Sequence, residues 1–256
     1  MIIDFEGSTV VVTGGATGIG LAISRQLAAS GAHVVIGDIT EDQGHAAVDG
    51  IAGQGGSADF HRLDVGDEDD WARLLSVLAK ASRVVGLVNN AGIGGALGVT
   101  EESVAGWEDV IQVNQLGVFL GMKHVGPLIE SAGGGAIVNL ASIFSTSGGF
   151  GNAIAYHASK GAVMAMTRTA AVGWSTKGVR VNAIHPGFIG TPMTLQHQDL
   201  RVEMGKTLGE LITSGTPMGR LGTPEEIANV VTFMLSSQAS YMTGSSVFVD
   251  GGWSAI

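Results

Sequence analysis

The chain contains no cysteine, which excludes disulfides, thiol nucleophiles and thiolate metal sites and suits a reducing, cytoplasmic setting. Charge is also scarce. Charged residues make up 14% of the 256, and 13 Lys+Arg stand against 23 Asp+Glu. The resulting net charge of −10 argues against nucleic acid or an anionic membrane as partner, because both recruit basic surfaces. No stretch approaches the ~18 consecutive apolar residues of a membrane helix. The opening Met1-Ile2-Ile3-Asp4-Phe5-Glu6 has no basic segment before an apolar run, so no signal peptide and a soluble chain are expected. The seven histidines show no H-E-x-x-H or other ligand spacing, so no metal is expected. The G-x-S-x-G of a serine hydrolase is missing as well.

What is present is apolar material and glycine. Hydrophobic residues at 45% can fill a deep core, and 41 scattered glycines suit a fold with many tight turns. Short β-branched runs recur at Thr9–Val12, His33–Ile36, Phe60–Leu63, Val84–Val88, Ala136–Leu140, Val179–Ile184 and Val247–Val249. Helical patterns separate them: one through Leu21, Ile23 and Leu27, others at Glu41–Ile51 and Trp71–Leu78, a long one reaching about Leu128, and one at Ala155–Trp174. Such alternation predicts an α/β fold: a single Rossmann-type domain over 1–256, with a doubly wound, mainly parallel seven-stranded sheet covered by helices on both faces. Residues 187–216, rich in Met, Thr and Gln, break the rhythm and read as a substrate lid. Asp67-Glu68-Asp69-Asp70 reads as a helix start, where carboxylates oppose the helix dipole.

The first strand runs into Thr13-Gly14-Gly15-Ala16-Thr17-Gly18-Ile19-Gly20. A dinucleotide pyrophosphate needs backbone that approaches without Cβ interference and free N–H groups at a helix N-terminus. Glycines between a buried strand and a helix meet both needs, although the spacing is not G-x-G-x-x-G. Asp38, at the end of the second strand, can accept both hydroxyls of an adenosine ribose and would repel a 2′-phosphate, while neither Thr17 nor Ile39 supplies a cation. NAD is therefore favoured over NADP. Further on, Tyr156 and Lys160 stand four residues apart, on one helix face. An ammonium beside a phenol stabilises phenolate and draws the tyrosine pKa down, as acid/base work near neutrality requires.

Together these features resemble the short-chain dehydrogenase/reductase family over essentially the whole chain. The match comprises Thr13-Gly14-x-x-x-Gly18-x-Gly20, Asn89-Asn90-Ala91-Gly92, Asn114, Ser142, Tyr156-x-x-x-Lys160, Pro186-Gly187-x-x-x-Thr191, Thr243-Gly244 and Asp250-Gly251-Gly252, in the family's order. The resemblance implies NAD(H)-dependent interconversion of a secondary alcohol and a ketone. Tyr156 would be general acid/base and Lys160 would tune it and hold the nicotinamide ribose. Ser142 would hydrogen-bond the substrate oxygen, and Asn114 would place a water in a proton relay to Lys160. Gly14, Thr17, Gly18, Ile19, Gly20, Asp38, Asp64, Val65, Asn90, Ala91, Gly92, Pro186, Gly187, Ile189 and Thr191 would hold the cofactor. Asn89 reads as a structural tie between strand ends.

Phe144, Phe150, Phe188 and Met193, with Leu195 and Met204 on the lid, would give an apolar substrate site without an arginine clamp. Segments such as Gly121-Met122-Lys123-His124 look most like bacterial hydroxysteroid and cyclic-alcohol dehydrogenases, implying a bulky or cyclic substrate. The family also implies a homotetramer, with the helices around Asn114 and Lys160 at one interface and the C-terminal strand with Trp253 at the other. Rival readings are a 3-oxoacyl-type ketoreductase, disfavoured by Asp38 and the acidic balance, and a non-catalytic dinucleotide sensor, which has no use for Tyr156, Lys160, Ser142 and Asn114 together. His157 is expected to point away from the site, His185 to be a turn or packing residue, and Asp250 to be structural.

Overall fold

Val10, Val11 and Val12 are fully buried, and they alternate between two cores on opposite faces of strand β1 (Thr9–Thr13). A strand covered on both sides reads as a continuous apolar run, and this one does. Around it lie β2 (His33–Asp38), β3 (Ser57–Arg62), β4 (Val84–Asn89), β5 (Gly135–Leu140), β6 (Val179–Pro186) and β7 (Ser246–Val249). They form one sheet of seven strands in the order β3-β2-β1-β4-β5-β6-β7, every neighbouring pair parallel. The computed structural model describes residues 3–81, 83–195 and 207–256.

One face is covered by α1 (Gly18–Ala29), α2 (Glu41–Ala52) and a later helix over Pro224–Leu235, whose Ile23, Leu27, Ile51, Ile227 and Val231 share a core with Val10 and Val12. The other carries α3 (Glu68–Leu78), α4 (Val104–Ile111), α5 (Gly117–Ser131) and α6 (Ile154–Trp174), packed around Val11 through residues such as Trp71, Val125 and Val163. Short α7 (Pro192–Leu195) and α8 (Leu208–Gly215) follow β6 and precede α9, the Pro224–Leu235 helix. Among the described residues no helix is long and apolar enough to cross a membrane.

Three local expectations change. The third strand starts at Ser57 rather than Phe60, because an edge strand is half-exposed and alternates polar and apolar residues instead of forming a run. The long helix after β4 is two helices joined by a π turn over Gln112–Leu116. The acidic cluster also divides. Asp67 caps α3 by accepting the Asp69 N–H at 2.9 Å. Asp70 instead is buried and accepts the Asp64 N–H at 2.7 Å, with Arg62 (3.2 Å) and Arg73 as ion partners. A buried carboxylate persists only when paired and hydrogen-bonded, and here it ties the turn that carries Asp64 and Val65.

Asn89 is the strand tie expected of it. Its Nδ2 donates to Asn139 Oδ1 at 2.8 Å, and Asn139 Nδ2 donates to Thr167 Oγ1 at 2.9 Å, all three residues buried. This chain links β4, β5 and α6 through side chains, and breaking it would strand donors away from water at ~1–3 kcal/mol each. Asp250 likewise serves its own turn, accepting the Gly252 N–H at 3.0 Å and the Ser254 N–H at 2.9 Å.

Candidate active site

The strand order reverses between β1 and β4, and in open α/β sheets the crevice at such a point opens at the carboxyl ends of the strands. Those ends carry the residues singled out above: the glycine turn after β1, Asp38 closing β2, Asp64 and Val65 after β3, Asn90-Ala91-Gly92 after β4, Ser142 after β5, and Pro186 and Gly187 at the end of β6. The topology thus gathers positions up to 173 residues apart, from Gly14 to Gly187, on one rim.

Helix α1 begins at Gly18 after Thr17, which has an extended backbone and makes no side-chain cap, and its first turn has no acidic residue. The positive end of the helix dipole and its first N–H groups therefore face the crevice, the arrangement that takes an anion. A Cβ on Gly18 would meet Thr191 Cγ2 at 3.4 Å, so this glycine keeps the slot between the turn and the β6 exit open. Gly20 allows a closer approach: a Cβ there would lie 2.0 Å from Gly14 O. Asn90 Nδ2 braces the turn by donating to Thr13 O and Gly14 O, both at 2.9 Å, while Thr13 Oγ1 accepts the N–H groups of Asn90 and Ala91. Ile19 packs partly into the core beneath.

Asp38 accepts the Ala16 N–H at 3.2 Å and the Thr40 N–H at 3.1 Å. A carboxylate has about four acceptor positions, so it can still receive ribose hydroxyls. Arg62, in register with Asp38 on the adjacent strand, is turned to Asp70 instead. The uncapped helix end, the open slot and this carboxylate fit a dinucleotide.

At the other end of the crevice, Tyr156 lies on the first turn of α6 with Ser142 beside its hydroxyl, near enough to favour the phenolate. Lys160 is buried, donates from Nζ to Leu140 O at 2.8 Å and sits 5.7 Å from the Tyr156 ring centroid. Burial draws the lysine pKa down to about 8. The tyrosine departs from expectation: burial pushes its phenol above the ordinary 10, and Ser142 only partly opposes this. Desolvation of the phenolate sets the direction, and Lys160, 5.7 Å from the ring centroid, does not reverse it.

Asn114 is fully buried on the π turn. Its Oδ1 accepts the Ile93 N–H at 2.8 Å, and its Nδ2 donates to Ile93 O at 2.9 Å and to Ser159 Oγ at 3.1 Å. A Cβ on neighbouring Gly92 would stand 3.2 Å from Asn114 Oδ1 and 3.4 Å from Lys160 Nζ, so the two polar groups flank the same small gap. The π turn is what aims Asn114 inward, and such bulges recur at functional sites. Ala153, just before α6, has φ +58°, the one positive φ at a non-glycine among the described residues, so the chain enters the Tyr156 helix under strain.

Aromatic rings run outward from Tyr156. Phe144 lies edge-on to Tyr156 (6.4 Å between centroids) and to Phe188 (5.8 Å), and Phe188 meets Phe150 (6.2 Å) and Trp253 (5.0 Å). Two rings here were not foreseen. Trp253, expected at a subunit interface, turns onto Phe150 and Phe188 from the C-terminal segment. His157, expected to point away, stacks on Phe144 at 4.6 Å, because the 3-10 turn after Ser142 folds back over the start of α6. Ile189 is buried and bridges to Gly222, whereas Met193 and Leu195 on α7 are exposed and Met204 lies outside the described residues.

A family profile described as enoyl-(acyl carrier protein) reductase matches residues 14–254. The cyclopentanol dehydrogenase of Comamonas testosteroni is 42% identical over 247 residues, covering 96% of this chain and 96% of that protein. The 2,5-dichloro-2,5-cyclohexadiene-1,4-diol dehydrogenase of Sphingobium indicum is 39% identical over 249 residues, covering 97% and 96%. Among solved structures, a putative NAD(P)-dependent gluconate 5-dehydrogenase from Beutenbergia cavernae, with NADP bound at low occupancy, superimposes with a TM-score of 0.91 at 38% identity over 100% of both chains. The chain belongs to the short-chain dehydrogenase/reductase family, whose members bind a nicotinamide dinucleotide, and it is an alcohol–ketone oxidoreductase.

Proposed function

We propose that this enzyme oxidises cyclic, apolar secondary alcohols to ketones and reverses the reaction, using NAD(H), with hydroxysteroids within its substrate class. The observation that carries the reading is the placement of the Tyr156 hydroxyl beside Ser142 at the inner end of a wall made by Phe144, Phe188, Phe150 and Trp253. Aromatic faces and edges favour a ring over a charged or sugar-like chain, and the relatives named for cyclopentanol and a cyclohexadiene diol support the same class.

The bound dinucleotide supplies the hydride acceptor or donor. Its diphosphate would lie on the N–H groups of the Thr17–Gly20 turn, its adenosine between Asp38 and Asp64-Val65, with Asn90, Ala91 and Gly92 alongside. Its nicotinamide end would meet Pro186, Gly187, Ile189, Thr191 and Lys160. The chain's own residues do the rest. Tyr156 gives a proton to the carbonyl oxygen, or takes it from the alcohol. Ser142 donates a hydrogen bond to the same oxygen and steadies its developing charge. Lys160 helps balance charge at the phenol, and Asn114 holds the far end of a proton route to Lys160 Nζ. Met193 lies on α7, within the segment 187–216 expected to be a lid, of which residues 196–206 lie outside the described residues.

The test is a panel of cyclopentanol, cyclohexanol, hydroxysteroids and small polar alcohols, each with NAD⁺ and NADP⁺. Turnover of the cyclic alcohols with NAD⁺, at least ~10-fold better than with NADP⁺, is expected from the charge of Asp38. Preference for NADP⁺, or turnover confined to small polar alcohols, contradicts the reading. Assembly as a homotetramer is part of the proposal. Trp107 and Phe119 expose large apolar surface around α4 and α5, as Tyr241 and Phe248 do near β7, and contiguous apolar surface usually marks an interface. Light scattering at micromolar concentration checks it, and a monomer there refutes it.

A further inference from the structure

Strand β6 ends on Pro186, which has no N–H to offer its neighbour. In the β5–β6 ladder Leu140 pairs with Ile184, and the Ala141 N–H reaches Ile184 O at 2.9 Å. Alternate residues of a parallel strand bond to the same neighbour, so the next donor toward β5 would be residue 186, and proline cannot supply it. A side chain does so one residue earlier: His185 Nδ1 lies 2.8 Å from Ser142 O. The carbonyl can only accept, so Nδ1 carries the proton.

The ring is held for that bond. His185 is fully buried and stacks on Phe248 at 4.5 Å with an angle of 23° between planes. Among the described residues its buried Nε2 has no hydrogen-bond partner, and burial lowers the pKa, keeping the ring neutral. A buried acceptor left bare costs stability, so a phenylalanine would fill this volume more cheaply if packing were its only task. Ser142 is meanwhile pinned from the other side: its N–H donates to Ser145 Oγ at 3.2 Å, and its Oγ accepts the Phe144 N–H at 3.1 Å. With both flanks of the residue tied, the hydroxyl proton of Ser142 is left for the oxygen at Tyr156.

We propose that His185 is a positioning residue for the alcohol–ketone reaction, locking the backbone of Ser142 so that its hydroxyl faces the reacting oxygen. This rests on the reading of Ser142 as hydrogen-bond donor to the substrate. The experiment is a double-mutant cycle of His185→Phe and Ser142→Ala, with His185→Asn alongside, recording kcat, the KM of the alcohol and NADH binding by fluorescence. His185→Phe keeps volume and stacking and removes the donor; its kcat is expected to fall about tenfold with NADH binding unchanged. His185→Asn returns an N–H close to the Nδ1 position and restores most of the rate. In the Ser142→Ala background His185→Phe then costs less than about twofold, because the group it positions is gone. Equal costs in both backgrounds, an asparagine as slow as the phenylalanine, or full activity of His185→Phe each overturn the inference alone. Undiminished kcat in Ser142→Ala removes the role of the serine and the inference with it. Should His185→Phe not fold, the cycle is run with His185→Gln, whose amide is displaced from the Nδ1 position.

Discussion

Tyr156→Phe is expected to lower kcat in both directions by ~10²–10⁴-fold, the usual worth of a positioned general acid or base, while NADH binding and the melting temperature hold. The phenylalanine keeps the ring that meets Phe144 edge-on, so only the hydroxyl at the reacting oxygen is lost. The pH dependence carries a matching sign. Burial raises the phenol pKa above 10, so in the free enzyme the proton is on Tyr156 throughout the neutral range. Ketone reduction needs that proton and should stay level through neutrality. Alcohol oxidation needs it removed, so kcat/KM should climb with pH, with a slackening above about 8 as buried Lys160 loses its charge. Rate profiles in both directions, with the variant beside the wild type, check this. A variant retaining more than a tenth of the activity would sink the assignment of Tyr156. So would oxidation whose rate falls as pH rises from about 6 to 8, below the point where Lys160 loses its charge.

Gly20→Ala should damage the fold and the cofactor site together. The new Cβ would sit 2.0 Å from Gly14 O and 2.5 Å from Asn90 Nδ2. The first contact is backbone held in the turn, and the second is the amide that braces that turn through Thr13 O and Gly14 O. Neither can yield without the other. Overpacking of this kind costs ~3 kcal/mol, which in a chain of this size lowers the melting temperature by about 6–12 °C. Dinucleotide affinity should fall with it, because displacement of the turn misaims the N–H groups at the start of α1. Gly94→Ala is the control: a Cβ there meets nothing within 4 Å among the described residues, and its cost should stay within ~0.5 kcal/mol. Thermal melts and NADH titrations of the two variants decide the matter, and a Gly20→Ala protein with wild-type stability would show that the close approach is not needed.

Much of the architecture was legible in the order of residues. Runs such as Val10-Val11-Val12 announce strands buried on both faces, and their alternation with helical patterns leaves a parallel, doubly wound sheet as the simple outcome. The glycine turn, Asp38 and the Tyr156–Lys160 spacing are local patterns with a local physical meaning, so their places on α1, β2 and α6 followed from sequence alone. The start of half-exposed β3 is not legible in sequence, because the signal of an edge strand is alternation, which is weaker over six residues than an apolar run.

Tertiary structure decided everything that depends on competing fields or distant neighbours. Whether Lys160 or burial sets the Tyr156 pKa is a contest between Coulomb attraction and desolvation, and only the packed environment determines the winner. The π turn that carries buried Asn114 between α4 and α5 has no residue signature in the sequence. Trp253 joins the aromatic wall because the chain end returns past β7 to Phe188, a contact between positions 65 residues apart that periodicity cannot encode. Asp70 and His185 show the same limit. A carboxylate in an acidic run and a histidine before a proline look ordinary in sequence. Burial is what makes their hydrogen bonds to Asp64 N–H and Ser142 O decisive, because a polar group removed from water must find its partner inside the fold.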